Sequence, residues 1–249
     1  MKMSKDFLYE IVHCSHAKVC REDSTITNPC REIVDYQTSI GLDAFQAPEP
    51  WSGNIEYAPI LFLSSNPSIS SNEIYPTWDW SSEEIYDYFN YRFGGGNKDW
   101  SINGTKPLLI NNKYGRSVQF WAAVRQRAIE LFQRDVFPGT DYALTEIVHC
   151  KSRNEIGVEQ AQYQCVEAYL LKILELAGAK VIVVLGARAK QAVQDKFNIS
   201  SEVTVSEPIN IGGHEKLFTF LPHPNARGYR SFAKCLQNGE LEMLRCFLR

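Results

Sequence analysis

The chain has 249 residues, a formal charge of −3 and 44% hydrophobic content. That is enough for one sizeable core, and too acidic for a uniformly basic nucleic-acid coat, whose affinity comes from Lys and Arg displacing phosphate counterions. The longest clean apolar run, "VIVVLG", is far too short to span a bilayer, and the charges in "MKMSKDFLYEIVHC" stand too close together for a signal peptide. A soluble, monomeric, cytoplasmic protein is therefore expected, in a compartment that keeps its seven cysteines reduced. Each cysteine is then either a small core hydrophobe or a metal ligand.

Residues 1–57 open on a helix and continue as a Cys- and Pro-containing segment with little periodicity, expected to pack on the core. From 58 to 249 short apolar strands alternate with amphipathic helices. The strands are "APILFLSS", "DYALTEIVHC", "AKVIVVLG" and "KLFTFLPH". Between them "SVQFWAAVRQRAIELF" places Trp121, Val124, Ala128, Leu131 and Phe132 on one side, and "QCVEAYLLKILELAG" repeats with Val166, Tyr169, Leu170, Ile173, Leu174 and Ala177. Gly178 follows as a stop signal. This alternation predicts an α/β fold of three layers, α/β/α, with a central, mostly parallel four-stranded sheet. An aromatic insertion at 69–112, holding "YPTWDWSSEEIYDYFNYRFGGGNKDW", reads as a lid or binding loop. "GGHEK" places His214 in an exposed hairpin.

Ligands of such sheets sit at the carboxyl ends of the strands, and Asn66, Glu146, Gly186 and His223 all fall at or just past such ends. Pro67 biases Asn66 towards an extended conformation, and an amide held there can bind a water through its carbonyl. The simpler alternative is that Asn-Pro starts a turn. His223, in "LPHPNARG", also precedes a proline. A neutral imidazole there can donate an N–H to an oxygen that becomes anionic as a bond breaks. A local basic patch is expected from Arg227, Arg230 and Lys234, joined by Lys151 and Arg153 of "KSR". The strand-Gly-helix junction "VVLGARAKQAV" could offer N–H groups to a phosphate but lacks fuller Gly-rich fingerprints.

The pair "SSNPS" and "HPNARG" resembles the two signature motifs of the uracil-DNA glycosylase superfamily. "GRSVQFWAAV", "ALTEIVHCKSR", "CVEAYLLKILELAGAKVIVVLGARAKQAV" and "FTFLPHPN" follow in the order of its iron–sulfur branch. The resemblance covers roughly 58–228 apart from the insertion. It implies a DNA-repair or defence enzyme that flips a damaged or deaminated base out of the stack and hydrolyses its N-glycosidic bond with water and no organic cofactor. By that analogy Asn66 holds the water and His223 stabilises the departing base. Ser65, Glu146 and Tyr114 line the base, with Tyr114 stacking on it. Ser68, Asn225, Arg227 and Arg230 face the DNA.

Glu146 stands where that branch has an asparagine that pairs with the base. Ionised, it only accepts hydrogen bonds and suits a donor-rich edge such as an exocyclic amine; protonated, it both donates and accepts. A solvent-facing or ion-paired Glu is the alternative. Cys150 and Cys165 resemble the second ligand pair of a [4Fe–4S] cluster, with partners among Cys14, Cys20 and Cys30, so that four of these five would be ligands. The spacing of those three departs from the branch. Zinc is the alternative metal, with His13 or His16 as substitutes. Cys235 and Cys246 read as core residues of the last helical pattern. Two further functions stay open: a non-catalytic binder of modified or damaged DNA bases, and an N-glycoside hydrolase acting on free nucleosides or nucleotides.

Overall fold

The computed structural model describes residues 2–228 and 230–249, without the side chains of Lys2 and Met3. Three helices precede the first strand: α1 (Lys2–Val12), α2 (Ser15–Glu22) and α3 (Arg31–Ser39). The opening helix was expected; α2 and α3 are too short for apolar periodicity to declare them. All three bury their apolar faces, with Leu8, Ile11, Ala17, Ile33 and Val34 inside the larger core. β1 (Ile60–Ser64), α4 (Ser82–Tyr91), the short hairpin β2 (Ser101–Ile102) and β3 (Lys106–Pro107), α5 (Gln119–Phe132) and β4 (Tyr142–Glu146) follow. Then come α6 (Val158–Cys165), a π-helical turn (Val166–Leu170), α7 (Leu171–Leu176), β5 (Val181–Leu185) and α8 (Ala187–Phe197). The chain closes with β6 (Ile209–Ile211), β7 (His214–Leu221), α9 (Phe232–Cys235) and α10 (Glu240–Leu248).

The sheet runs β4-β1-β5-β7-β6, parallel except for β6, which pairs antiparallel with β7. It therefore has five strands rather than four. The fifth is the near arm of the Gly212–Gly213 hairpin, too short and polar to be counted from the sequence, and His214 sits in that hairpin, exposed. Helices cover both faces because β1 and β5 are apolar on both. Leu61, Leu63, Ile182 and Val184 meet one core with α1–α4 and α6–α8. Ile60, Phe62, Val181 and Val183 meet the other with α5 and α10. The helix stops just before Gly178, as expected, and the glycine is also required for close approach, since a Cβ there would lie 2.1 Å from the Glu56 carbonyl oxygen. Among the described residues no helix is long and apolar enough to cross a membrane.

Two features position the site. The open edge of β4 is covered by residues 49–52: Ser52 and Leu144 exchange backbone hydrogen bonds, Thr145 Oγ1 donates to the Pro50 carbonyl at 2.7 Å, and buried His149 donates from Nδ1 to the Glu49 carbonyl at 2.7 Å. The aromatic insertion packs into the cores through Tyr75, Ile85, Tyr88, Phe89, Phe93 and Trp100, and its Ile69, Ser70, Glu73 and Arg92 line a cavity at the sheet end. A capping box at Ser81 and Glu84 starts α4, and Arg92 follows its last residue.

Candidate active site

At the carboxyl ends of β1, β4 and β7, Asn66, Glu146 and His223 line one cavity of about 280 Å³ with Ser68, Asn225 and Phe120. Parallel pairing in register produces this convergence, with Ser64 opposite Glu146 and Leu185 opposite Leu221. Gly186, at the end of β5, lies behind His223. Its φ is +92°, and a Cβ there would stand 3.2 Å from the His223 Cβ, so a side chain would crowd the imidazole out.

Asn66 is held by its amide nitrogen, which donates to the Pro67 carbonyl at 3.0 Å and the Ser152 carbonyl at 3.2 Å. Its Oδ1 keeps acceptor capacity, with only the Ser65 hydroxyl donating at 3.4 Å. Ser65 thus supports Asn66 and borders an adjoining cleft with His223. The Asn225 backbone N–H donates to His223 Nδ1 at 3.2 Å, which makes Nε2 the protonated nitrogen of the neutral ring. Burial lowers the His223 pKa, Glu155 opposes that shift and Arg230 reinforces it, so the ring is neutral near pH 7. Phe120 stacks on it with centroids 5.4 Å apart.

The remaining expectations divide. Tyr114 is 39% exposed, with its hydroxyl donating to the Asp99 carbonyl; the aromatics that line the cavity are Phe120 and Trp121. Arg227 and Arg230 are exposed, and Arg230, which donates to the Pro224 carbonyl, is the one that acts on His223. Lys151 does not belong to a surface patch. It is buried at 1% exposure, with Nζ 3.3 Å from the Tyr75 ring centroid. Arg153 donates to the Ile69 carbonyl.

Below the cavity lies a buried charge network that the sequence did not reveal. Arg92 pairs with Glu49 at 2.7 Å and Glu73 at 2.6 Å, and its guanidinium lies 4.6 Å from the Trp121 ring. Tyr75 donates to Glu49 and Tyr88 to Glu73, both at 3.0 Å. Glu49, Glu73, Arg92 and Lys151 all line the cavity. Glu146 joins them as a buried carboxyl rather than a solvent-facing one. Burial and the neighbouring Glu49 hold its pKa well above the usual carboxylate range, against Arg92, Lys151 and the Ser64 hydroxyl. Its Oε2 and Arg92 Nε are buried without hydrogen-bond partners. The sequence signal available was an arginine set among aromatics in "YFNYRFGGG".

Cys14, Cys20, Cys30, Cys150 and Cys165 are all buried and free. Cys165 and burial push the Cys30 thiol up, and burial, with Cys14, Cys30 and Cys20, pushes the Cys150 thiol well up. Among the described residues no group of three or more Cys, His, Asp or Glu side chains is placed to hold a metal ion. The donor set nevertheless fits a thiophilic centre: soft ligands, buried and unpaired by disulfides. His13 is exposed, and His16 Nδ1 lies 3.1 Å from the Asn28 amide. Cys235 is half-buried against the smaller core, and Cys246 is exposed rather than a core residue. No family model matches the sequence, and no curated protein matches it.

Proposed function

We propose that the protein is a DNA N-glycosylase, built on the α/β/α plan of the uracil-DNA glycosylases that its motifs resemble. The observation that carries this reading is the shared cavity of Asn66 and His223, one with a spare amide oxygen and the other with a spare Nε2–H. A base extruded from the duplex would enter past Phe120 and stack there. Asn66 Oδ1 would hold water at the sugar carbon while the glycosidic bond loosens with oxocarbenium-like charge. His223 Nε2–H would donate to the oxygen of the base that gains electron density, in a site whose donor needs no reorganisation. Arg227 and Arg230 would meet phosphates at the mouth. Ser68 and Asn225, also at the cavity, would guide the strand.

Four of the five buried thiols would hold a [4Fe–4S] cluster, or zinc in its place. When bound, such a group contributes stability, fastening α2 and α3 to the segment after β4. Purified protein should be straw-brown with broad absorption if the cluster is iron–sulfur, and colourless with about one zinc if it is not. Metal-free protein by elemental analysis would end the metal reading.

The decisive assay uses oligonucleotides holding uracil, hypoxanthine, xanthine or an alkylated base, in single and double strands, followed by cleavage of abasic sites and a sizing gel. Strand breaks that depend on Asn66 support catalysis. Retained binding with no break would leave a reader of modified bases. Binding that ignores salt would favour a free nucleoside as the ligand.

A further inference from the structure

The charges beneath the cavity balance without Glu146. Arg92 and Lys151 supply two positive charges, and Glu49 and Glu73 supply two negative ones, all four buried. Glu146 is a fifth ionisable group in the same low-dielectric space, 5% exposed, with one carboxyl oxygen lacking any partner. It is faced by Glu49 from the segment before β1, Arg92 from the end of α4, Lys151 from the segment after β4, and Ser64 from β1. Ionising it would leave an uncompensated charge there, so the neutral acid is the resting form. A neutral carboxyl offers one O–H donor and one C=O acceptor side by side, and Glu146 lines a cavity that also holds Asn66 and His223.

We infer that Glu146 is a general acid for a 4-amino-2-oxopyrimidine, the cytosine type of base, an inference that rests on the glycosylase reading above. The edge of such a base matches the acid atom for atom. Its exocyclic N–H donates to the carboxyl C=O, and its bare ring nitrogen N3 accepts from the carboxyl O–H. The 2-oxo group is left for His223 Nε2–H. Uracil and hypoxanthine carry hydrogen on the corresponding ring nitrogen, so they pair with the acid through N–H and carbonyl and cannot take its proton at that nitrogen.

In the step itself the proton moves from the Glu146 carboxyl to N3 as the bond from the sugar carbon to N1 breaks. The electron pair of that bond goes to N1, and the base departs uncharged. Water held by Asn66 forms the new bond at the sugar carbon and releases a proton to solvent. Glu146, left as a carboxylate beside Arg92 and Lys151, takes a proton back from solvent after the base has gone. The proton transfer moves the negative charge from the departing base to Glu146, where Arg92 and Lys151 face it.

The test measures single-turnover excision from oligonucleotides, single- and double-stranded, containing one cytosine, 5-methylcytosine, 5-hydroxymethylcytosine, uracil or hypoxanthine. At least one cytosine-type base should be excised roughly 10-fold or more faster than uracil. Glu146→Gln keeps the shape and a pairing amide but has no acidic proton, and should lose roughly 100-fold on that base. The wild-type rate should fall as pH rises through the Glu146 pKa, and the variant's rate should be flat over the same range. Excision of uracil or hypoxanthine with none of the cytosine set would overturn this inference and leave the glycosylase reading standing. No excision of any base would overturn both. Base preference in the unmodified protein decides the matter even if Glu146→Gln does not fold.

Discussion

Lys151 and Lys216 are each 1% exposed, and burial pushes each ammonium down to about 8, yet the two are built differently. Lys216, towards the amino end of β7, donates to the Ala177 carbonyl at 2.6 Å and the Ala179 carbonyl at 2.9 Å, closing the exit of α7. Lys151, at the opposite end of the sheet, lies over the Tyr75 ring in the field of Glu73 and Glu49, on the wall of a cavity. One cation is bonded to backbone and serves the scaffold. The other is held by an aromatic face and by charge, so its hydrogens stay available. The same contrast separates the paired oxygens of Glu49 from the orphaned oxygen of Glu146. Buried polarity with unused valence marks the end of the sheet where chemistry is to be sought.

Substitutions can break this distinction, and the largest effect is expected at the cavity. Asn66→Ala should lower excision about a thousand-fold or more, since the water would lose its orientation, while the protein stays folded. His223→Ala should cost about a hundred-fold. Equal rates in either variant, measured in single turnover, would remove that residue from the mechanism. Arg92→Leu strands two buried carboxylates and should cost about 3–5 kcal/mol in denaturant unfolding. Lys216→Met should cost about 1–3 kcal/mol by leaving two carbonyls unpaired, with excision unchanged.

The two lysines also predict the alkaline behaviour. An unfolded lysine keeps its proton to 10.5, the folded ones only to about 8, so the folded protein binds fewer protons between those values. Stability should therefore rise as pH climbs from about 8 to 10.5, with the penalty fully present below 8. Lys216→Met should flatten part of that rise, and an unchanged slope would mean that Lys216 is not the group titrating. The smallest contrast is between two rings. Phe120→Ala should weaken capture of a flipped base by about 1–3 kcal/mol, and Tyr114→Ala by less than about 0.5 kcal/mol.

The sheet was legible because β1, β4, β5 and β7 each hold a largely apolar stretch bounded by Asn-Pro, Glu, Gly and His-Pro, and the same boundaries delivered Asn66, Glu146 and His223 to one end. The fifth strand was not, because "INI" is only three residues long. Glu49, Glu73, Arg92 and Lys151 carry no periodic signal. A charged residue in sequence reads as solvent-facing, and only long-range packing against Tyr75, Tyr88 and Trp121 turns these four inward. Tyr114 was chosen by its place in a motif, whereas ring position depends on where the loop before α5 turns. Phe120 enters that helix two residues after its cap and reaches the cavity instead.

Arg92 arrives from the insertion, Glu49 from the stretch before the first strand, and Lys151 from beyond the fourth. Deleting 69–112 would not simply unroof the cavity. It would take away Arg92 and the Tyr75 hydroxyl, both bonded to Glu49, and leave that buried carboxylate with Ser52 and Lys151. The segment that looks like an ornament on the sheet is the back wall of the room, and any shorter version of this chain would have to replace Glu49 before it could do without it.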